Sequence, residues 1–431
     1  MLDINFIREN PEKVKEAVTN KQGDASVVDE VLSLAQKRVG LIQRTEELRQ
    51  ERNQIAKADS EENRVRGREI KEELKKLEPE LEEVEKEYKN ILYKIPNVPF
   101  DEVPVGKDES ENKVVRKVGE PKKFSFKPKD HLALGEALGI IDVETASKVT
   151  GARFGYLKGD AVLLEFALNM FVIGILTNEE KLKEIADKAG LDVNTKPFIP
   201  VLPPVMIRPE VFTRMARLDP GQEEERYYLP KDDLYLIGSA EHTLGPMHMD
   251  QTLAEKELPI RYLGFSTAFR REAGSYGKDT RGVFRVHQFN KLEMESFTVS
   301  EDSKKEQEFI VAIQEHLNSA LGLPYQVVEI CTGDMGGPDA RQIDIETWMP
   351  GQDKYRETHT SDLMTDYQAR RLGTKVQRKG GEIEFVHMND ATAFAGRTII
   401  AILENYQQED GSIEIPEVLR PYMGKNRITV K

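Results

Sequence analysis

From Val27 onward the apolar residues Val27, Leu34, Leu41, Leu48 and Ile55 recur at every seventh position, and Lys, Arg, Glu and Gln fill most of the places between them. A seven-residue apolar repeat commits a segment to one edge of a long helix that needs a partner. A second series, Ile70, Leu74, Leu77, Leu81, Val84, Tyr88, Ile91 and Ile95, steps by four and three and marks another stripe. The stretch Ala58 to Asn63 (ADSEEN) reads as a turn, so two helices of similar length fold back into an antiparallel hairpin. Pro79, inside the second stripe, predicts a kink or local break, because proline removes a backbone donor. After Ile95 the string PNVPFDEVPVG ends the helix, and Lys107 to Lys129 reads as a charged connector. These signals predict a helical arm over residues 1–105, a linker over 106–130 and a second domain over 131–431.

Such a hairpin fits two roles. It can be a dimerising or spacer coiled coil, or a lever that touches an extended partner. Lys57, Arg64, Arg66, Arg68, Lys71, Lys75 and Lys76 cluster near the tip, where they could meet a phosphate backbone. Glu61, Glu62, Glu69, Glu72 and Glu73 nearly cancel them. The chain-wide balance, 62 Lys and Arg against 76 Asp and Glu for a net charge of −14, speaks against coating nucleic acid non-specifically. The single Cys331 excludes an internal disulfide or a Cys-based metal site and fits a reducing, cytoplasmic compartment. The start, MLDINFIREN, lacks the pattern of a secretory signal. The longest apolar run, Ala161 to Leu176, is broken by Glu165 and Asn169 and is shorter than the roughly 20 residues a bilayer needs, so no membrane span is expected.

Beyond about residue 130 short β-rich runs alternate with turns and a few helices, an α+β pattern with a mostly antiparallel sheet. The stretch Tyr262 to Val299 reads as strand, polar loop, strand. Side chains alternate along a strand, so Arg270 and Glu272 are expected to share a face, and Arg285, His287, Phe289 and Glu293 to do so by the same count, bringing them together on one sheet face. A face carrying guanidinium, imidazole, aromatic ring and carboxylate is costly without a ligand, although a salt-bridge ladder would also account for it. A nucleotide suits it: arginine binds phosphate bidentately, an aromatic ring stacks on a base, and a carboxylate reads an amino group. Neither a P-loop nor a Rossmann glycine fingerprint occurs, so arginines must supply the phosphate contacts. A second such arginine is Arg397, after Gly396, at the start of a helix with the stripe Ile399, Ile400, Ile402, Leu403 and Tyr406.

Taken in order, the segments GARFGYLKGDAVLLEFAL, LYLIGSAE, FRREAGSYGKDTRGVFRVHQFNKLEME, CTGDMGG, QIDIETWMPGQDKYRE, DYQARR and GRTIIAILENYQ, together with MLDINFIREN and the arm, resemble the seryl-tRNA synthetase family of class II aminoacyl-tRNA synthetases. The resemblance runs nearly end to end. It implies a class II antiparallel sheet flanked by helices, with an N-terminal coiled-coil arm, and a homodimer formed through the helix around Leu163 to Leu176 and the strand that ends near Pro204. Residues Thr177 to Lys196 read as extra helix between the two halves of that motif. It also implies a ligase that makes seryl-adenylate from serine and ATP with Mg2+ and passes the seryl group to the 3′ end of tRNA(Ser), leaving open whether tRNA(Sec) is served.

The resemblance also implies residue roles. Arg270 would hold the α-phosphate and the serine carboxylate, and Arg271 and Glu272 would complete an ATP-binding triplet. Phe289 would stack on adenine and Val286 line the nucleotide site. Glu357, Thr358, His359 and Thr360 would contact ATP, with Glu357 and Thr360 binding its metal, and Arg397 would hold the γ-phosphate. Serine would be read by Ser239, Ala240, Glu241, Arg270, Glu293 and Thr392. Several positions depart from the family pattern: Ser239 for the usual Thr, His242-Thr243-Leu244-Gly245-Pro246 after Glu241, His359-Thr360-Ser361-Asp362-Leu363 for SSCSN, and Asn389-Asp390-Ala391-Thr392 for NGSG. His359 could face a ligand or be a satisfied structural histidine. The alternatives are a paralogue for another small amino acid or a carrier protein, and a non-catalytic RNA-binding homologue, which the retained Arg270 and Arg397 speak against.

Overall fold

The computed structural model describes residues 1–57, 60–218, 222–272 and 282–430, so most of the polar loop expected between Arg271 and Gly282 lies outside the described residues. The chain divides into two compact units, Met1–Val98 and Pro99–Lys431.

In the first unit two short helices, Ile4–Glu9 and Pro11–Asn20, precede two long ones, Ser26–Ile55 and Glu61–Lys94. Local capping sets the starts: the Asp3 carboxylate accepts from the Asn5 N–H, and the Ser60 hydroxyl accepts from the Asn63 N–H. The long helices are antiparallel, as ion pairs across them show: Arg38 with Glu85 at 3.0 Å, Arg49 with Glu78 at 2.9 Å and Arg66 with Glu51 at 2.6 Å. The second helix runs through Pro79 without interruption. Its predicted stripe is the packed one, with Ile70, Leu74, Val84 and Ile91 buried. On the first helix the seam is displaced. Val28, Val31, Ala35 and Leu48 are buried, whereas Val27, Leu34, Leu41 and Ile55 are only half-buried. A straight helix drifts by about 20° per heptad, so a strict repeat of seven does not stay on the contact line.

The second unit is built on an eight-stranded sheet: β1 (Lys113–Val118), β2 (Ile199–Val201), β3 (Ile260–Phe269), β4 (Gln288–Thr298), β5 (Tyr325–Glu329), β6 (Arg341–Met349), β7 (Lys354–Thr365) and β8 (His387–Ala395). Their spatial order is β1-β5-β6-β7-β8-β4-β3-β2, antiparallel except where β2 runs parallel to β3. Strand β1 lies within the expected linker, and it pairs with β5 although all its residues but Val118 are exposed. A strand held by backbone bonds at a sheet edge needs no apolar face, which is why its charged sequence reads as connector.

The sheet has two unlike faces. Leu292 and Met294 of β4 and Ala391 and Phe394 of β8 join Leu164, Leu168, Phe309, Ile313, Ile399 and Ile402 from the helices Asp160–Leu176, Ser303–Ala320 and Gly396–Asn405 in one apolar core. The opposite face is polar. Helix Asp160–Leu176 buries one side in the apolar core and leaves Leu163, Phe166 and Met170 exposed at 48, 57 and 53%, a stripe at helical spacing. Extra helix after it is present as Glu179–Ala189, closed by Gly190 in the left-handed region (φ 68°). Among the described residues no single helix is long and apolar enough to cross a membrane.

Candidate active site

The polar face is assembled by strand register. Glu293 of β4 stands opposite Thr392 of β8, and Glu295 opposite Asp390. Asp390 stands in turn opposite Asp362 of β7. Alternation along β4 then puts Phe289, Lys291, Glu293 and Glu295 on one face. A cleft above this row is lined by Arg270, Glu272, Val286, Phe289, Lys291, Glu357, Thr358, Thr360, Thr392 and Arg397, together with Phe284 and Arg285.

At the arginine-rich end the Arg270 guanidinium lies 5.4 Å from the centre of the Phe289 ring, and its Nε donates to the Gly238 carbonyl oxygen at 3.0 Å. Glu272 accepts from Arg285 at 3.3 Å. Arg397 caps the far end: it pairs with the Glu357 carboxylate at 2.9 Å and lies over the Phe284 ring at 4.6 Å. Burial acts to raise the Glu357 carboxyl, yet Arg397 beside it pulls it below the ordinary range, so it is an anion. Anionic Glu357 and the Thr360 hydroxyl are hard oxygen donors on the cleft wall, a set that fits Mg2+.

At the other end the helical turn Glu241–Leu244 lies directly on β3. This needs Gly264, since a Cβ there would come within 2.6 Å of Leu244 and 2.9 Å of Ala240. The turn buries Ser239 and Glu241 beside Lys291 and Glu293. Lys291 reaches the Ser239 hydroxyl at 3.2 Å and the Glu293 carboxylate at 2.5 Å. Oxygens of Glu241, Glu293 and Asp390 lie within 4.8 Å of one another. Arg217 pairs with two of them, Glu241 and Asp390, both at 3.0 Å. Burial acts to raise Glu241, but Arg217 holds it well below the usual carboxylate range. For Glu293 burial dominates and pushes the carboxyl up to about 7, although Lys291 opposes it. Burial also raises Glu295 and Asp390, each repelled by neighbouring carboxylates.

Of the expected site residues, Arg270, Glu272, Val286, Phe289, Glu357, Thr358, Thr360, Thr392 and Arg397 converge on the cleft. Ser239, Ala240, Glu241 and Glu293 lie buried at the end marked by Lys291. Two do not line it. Arg271 is exposed, with its guanidinium 5.5 Å from the Tyr227 ring. His359 turns to the helical side: a bulge in β7 between the residues opposite Ile345 and Glu346 reverses the alternation there. Its Nδ1 contacts Thr358 Oγ1 at 2.9 Å and Asn318 Nδ2 at 3.3 Å, and burial lowers it to about 4, so it is a neutral structural histidine. The expected period-two faces also fail locally. Arg285 and His287 precede β4, and Glu272 follows β3 with φ 52°. Sequence reasoning missed Lys291, which the two-residue step between Phe289 and Glu293 could have shown, and Phe284 and Arg217, for which it held no signal.

Residues 226–406 match the family model described as tRNA synthetase class II core domain (G, H, P, S and T), and residues 1–99 match the seryl-tRNA synthetase N-terminal domain. The cleft and sheet are therefore those of a class II aminoacyl-tRNA synthetase. A serine–tRNA ligase of Thermodesulfovibrio yellowstonii is 42% identical over 98% of this chain and 99% of its own length, and one of Rubrobacter xylanophilus 43% identical over 99% of each. The seryl-tRNA synthetase of Pyrococcus horikoshii complexed with ATP superposes with a TM-score of 0.89 at 38% identity, covering all of both chains. The cytoplasmic serine–tRNA ligase of Naegleria fowleri in complex with AMP gives 0.85 at 33%, covering 100% of this chain and 99% of that one. The chain belongs to the seryl-tRNA synthetase family.

Proposed function

We propose that the chain activates serine with ATP and transfers it to tRNA(Ser). The observation that carries this reading is the meeting of two charge environments: a cleft lined by arginines, and, buried beside its Lys291 and Thr392, a carboxylate pair, Glu241 and Glu293, with the Ser239 hydroxyl. Arg270 and Arg397 suit a bent triphosphate, with Phe289 under adenine. Mg2+, held by Glu357 and Thr360 when bound, neutralises phosphate charge. The serine ammonium lies between Glu241 and Glu293, and its hydroxyl meets Thr392 and Ser239. A site that satisfies a hydroxyl leaves buried groups unpaired when alanine enters, which rejects alanine strongly.

In the first step a serine carboxylate oxygen bonds to the α-phosphorus while the bond to pyrophosphate breaks. In the second the terminal ribose hydroxyl of the tRNA attacks the seryl carbonyl and AMP leaves. Catalysis comes from positioning and from arginines aimed at developing phosphate charge. The arm would bind tRNA(Ser), and the exposed stripe Leu163, Phe166 and Met170 with Ile199 of β2 suits a homodimer contact in the cytoplasm. The test is charging of unfractionated tRNA with each amino acid in turn, with ATP and Mg2+. Charging by serine alone is expected. Charging by another amino acid would refute the serine reading, and no charging at all would refute ligase activity.

A further inference from the structure

The turn that carries Ser239 and Glu241 contains a histidine that the reaction itself does not use. His242 is buried, and its ring lies 4.7 Å from the Phe212 ring. The Gly238 N–H donates to His242 Nδ1 at 3.1 Å. That nitrogen must therefore be bare, which leaves the ring proton on Nε2, and Nε2 faces the Glu241 carboxylate at 3.4 Å. Burial lowers His242 to about 3, so the ring keeps this tautomer across the physiological range. On the other side of Gly238 the carbonyl oxygen accepts from Arg270 Nε at 3.0 Å. Gly238 is thus clamped through both of its peptides, one by His242 and one by Arg270. A side chain there would be tight: a Cβ would lie 3.0 Å from Arg226 and 3.3 Å from the His242 ring, with an ordinary contact of 3.6 Å to Arg270.

We propose that His242 is a positioning residue for serine activation: through its bare Nδ1 it fixes Gly238, and so the carbonyl that orients Arg270, and through its Nε2 proton it aims the Glu241 carboxylate at the amino-acid ammonium. One neutral side chain thereby registers the amino-acid pocket against the α-phosphate arginine. Arg217 holds the charge of Glu241, while His242 sets its direction. The inference rests on the serine-activating reading above.

The test is serine-dependent ATP–pyrophosphate exchange with full-length protein carrying His242→Leu, His242→Asn or His242→Gln, with thermal midpoints alongside. Leucine fills the volume but bonds to neither partner. It is expected to raise the KM for serine and lower kcat, each by about tenfold, while the KM for ATP stays within about twofold. Asparagine can still accept from the Gly238 N–H and should recover kcat more than serine KM. Glutamine can still reach Glu241 and should recover serine KM more than kcat. A folded leucine variant with wild-type serine KM and kcat would overturn the proposal, as would equal changes in the two KM values. If leucine does not fold, the split between asparagine and glutamine decides, and its absence overturns the proposal. Wild-type protein without serine-dependent exchange would instead sink the functional reading itself.

Discussion

The arm and the cleft handle charge in opposite ways. On the arm, Arg38, Arg49 and Arg66 each find a carboxylate across the hairpin at solvent-exposed positions. On the sheet face Glu241, Glu293, Glu295, Asp390 and Asp362 are buried at close quarters, with Arg217 and Lys291 as their nearest cations. Buried carboxylates in excess of their counter-charges are costly, and burial holds Glu295, Asp390 and Asp362 toward their protonated forms. The arm's ion pairs sit in water, whereas in the cleft buried carboxylates outnumber the cations beside them. In the function proposed above, an amino-acid ammonium would join that cluster.

The largest effect that would sharpen this contrast is at the phosphate end. Arg270→Ala removes the guanidinium stacked beside Phe289, and serine-dependent pyrophosphate exchange is expected to fall by about 10³-fold or more. Retention of a tenth of wild-type exchange would show that Arg270 is not the α-phosphate group. Next is removal of the arm from Ala35 to Val84, which should leave pyrophosphate exchange within about twofold while tRNA charging drops by about 10²-fold or more. Equal loss of both, with the catalytic unit folded, would refute a separate role for the arm.

A smaller effect concerns pH. Burial pushes Glu293 up to about 7, so at neutral pH part of the population is protonated and attracts an ammonium less than the carboxylate does. The kcat/KM for serine should rise as pH goes from about 6 to about 8, and Glu293→Gln should flatten that rise while raising the serine KM by about tenfold. The sign for stability is opposite. A carboxyl whose folded value lies above its unfolded value takes up a proton on folding, so the ligand-free protein loses stability as pH rises from the ordinary carboxylate range of 4.5 through about 7. Serine should reverse that loss in thermal melts. A midpoint independent of pH over that window would show Glu293 already ionised by Lys291.

Much of this was legible before the fold was known, for reasons that differ by region. The long stripe Ile70 to Ile95 declared its helix because one period governs many residues, and the packed positions are those expected. Arg270, Phe289, Glu293 and Arg397 were legible as motif residues. For His359 the sequence left a ligand-facing and a structural role open, because which side it takes is set by a single-residue bulge in β7 that leaves no mark in the sequence. Arg217 and His242 were opaque as contributors because their roles exist only in tertiary contact: Arg217 lies far along the chain from Asp390, and the bond from Gly238 to His242 depends on how a short turn packs on Gly264. Strand β1 escaped for the opposite reason, since an edge strand with exposed charges carries no apolar signature.

The smallest expected effect is on the arm, and it tests whether the comparison is sound. Arg66 contacts Glu51 at 2.6 Å, Glu69 at 3.1 Å and Glu73 at 3.5 Å, so three carboxylates hold it near the hairpin tip. Its side chain remains about a third exposed, and water screens each of these contacts, so Arg66→Gln should leave the urea unfolding midpoint of the arm nearly unchanged. The hydrophobic seam beneath is a different matter: Leu48, Ile70 and Leu74 form a buried cluster, and Leu74→Ala should cost about 2 kcal/mol or more. The inverse order, with Arg66→Gln the costlier change, would mean that the hairpin is held by its ion-pair network. The arm's charges would then resemble those of the cleft, and the tip could not give up Arg66 to an RNA phosphate without opening the helices.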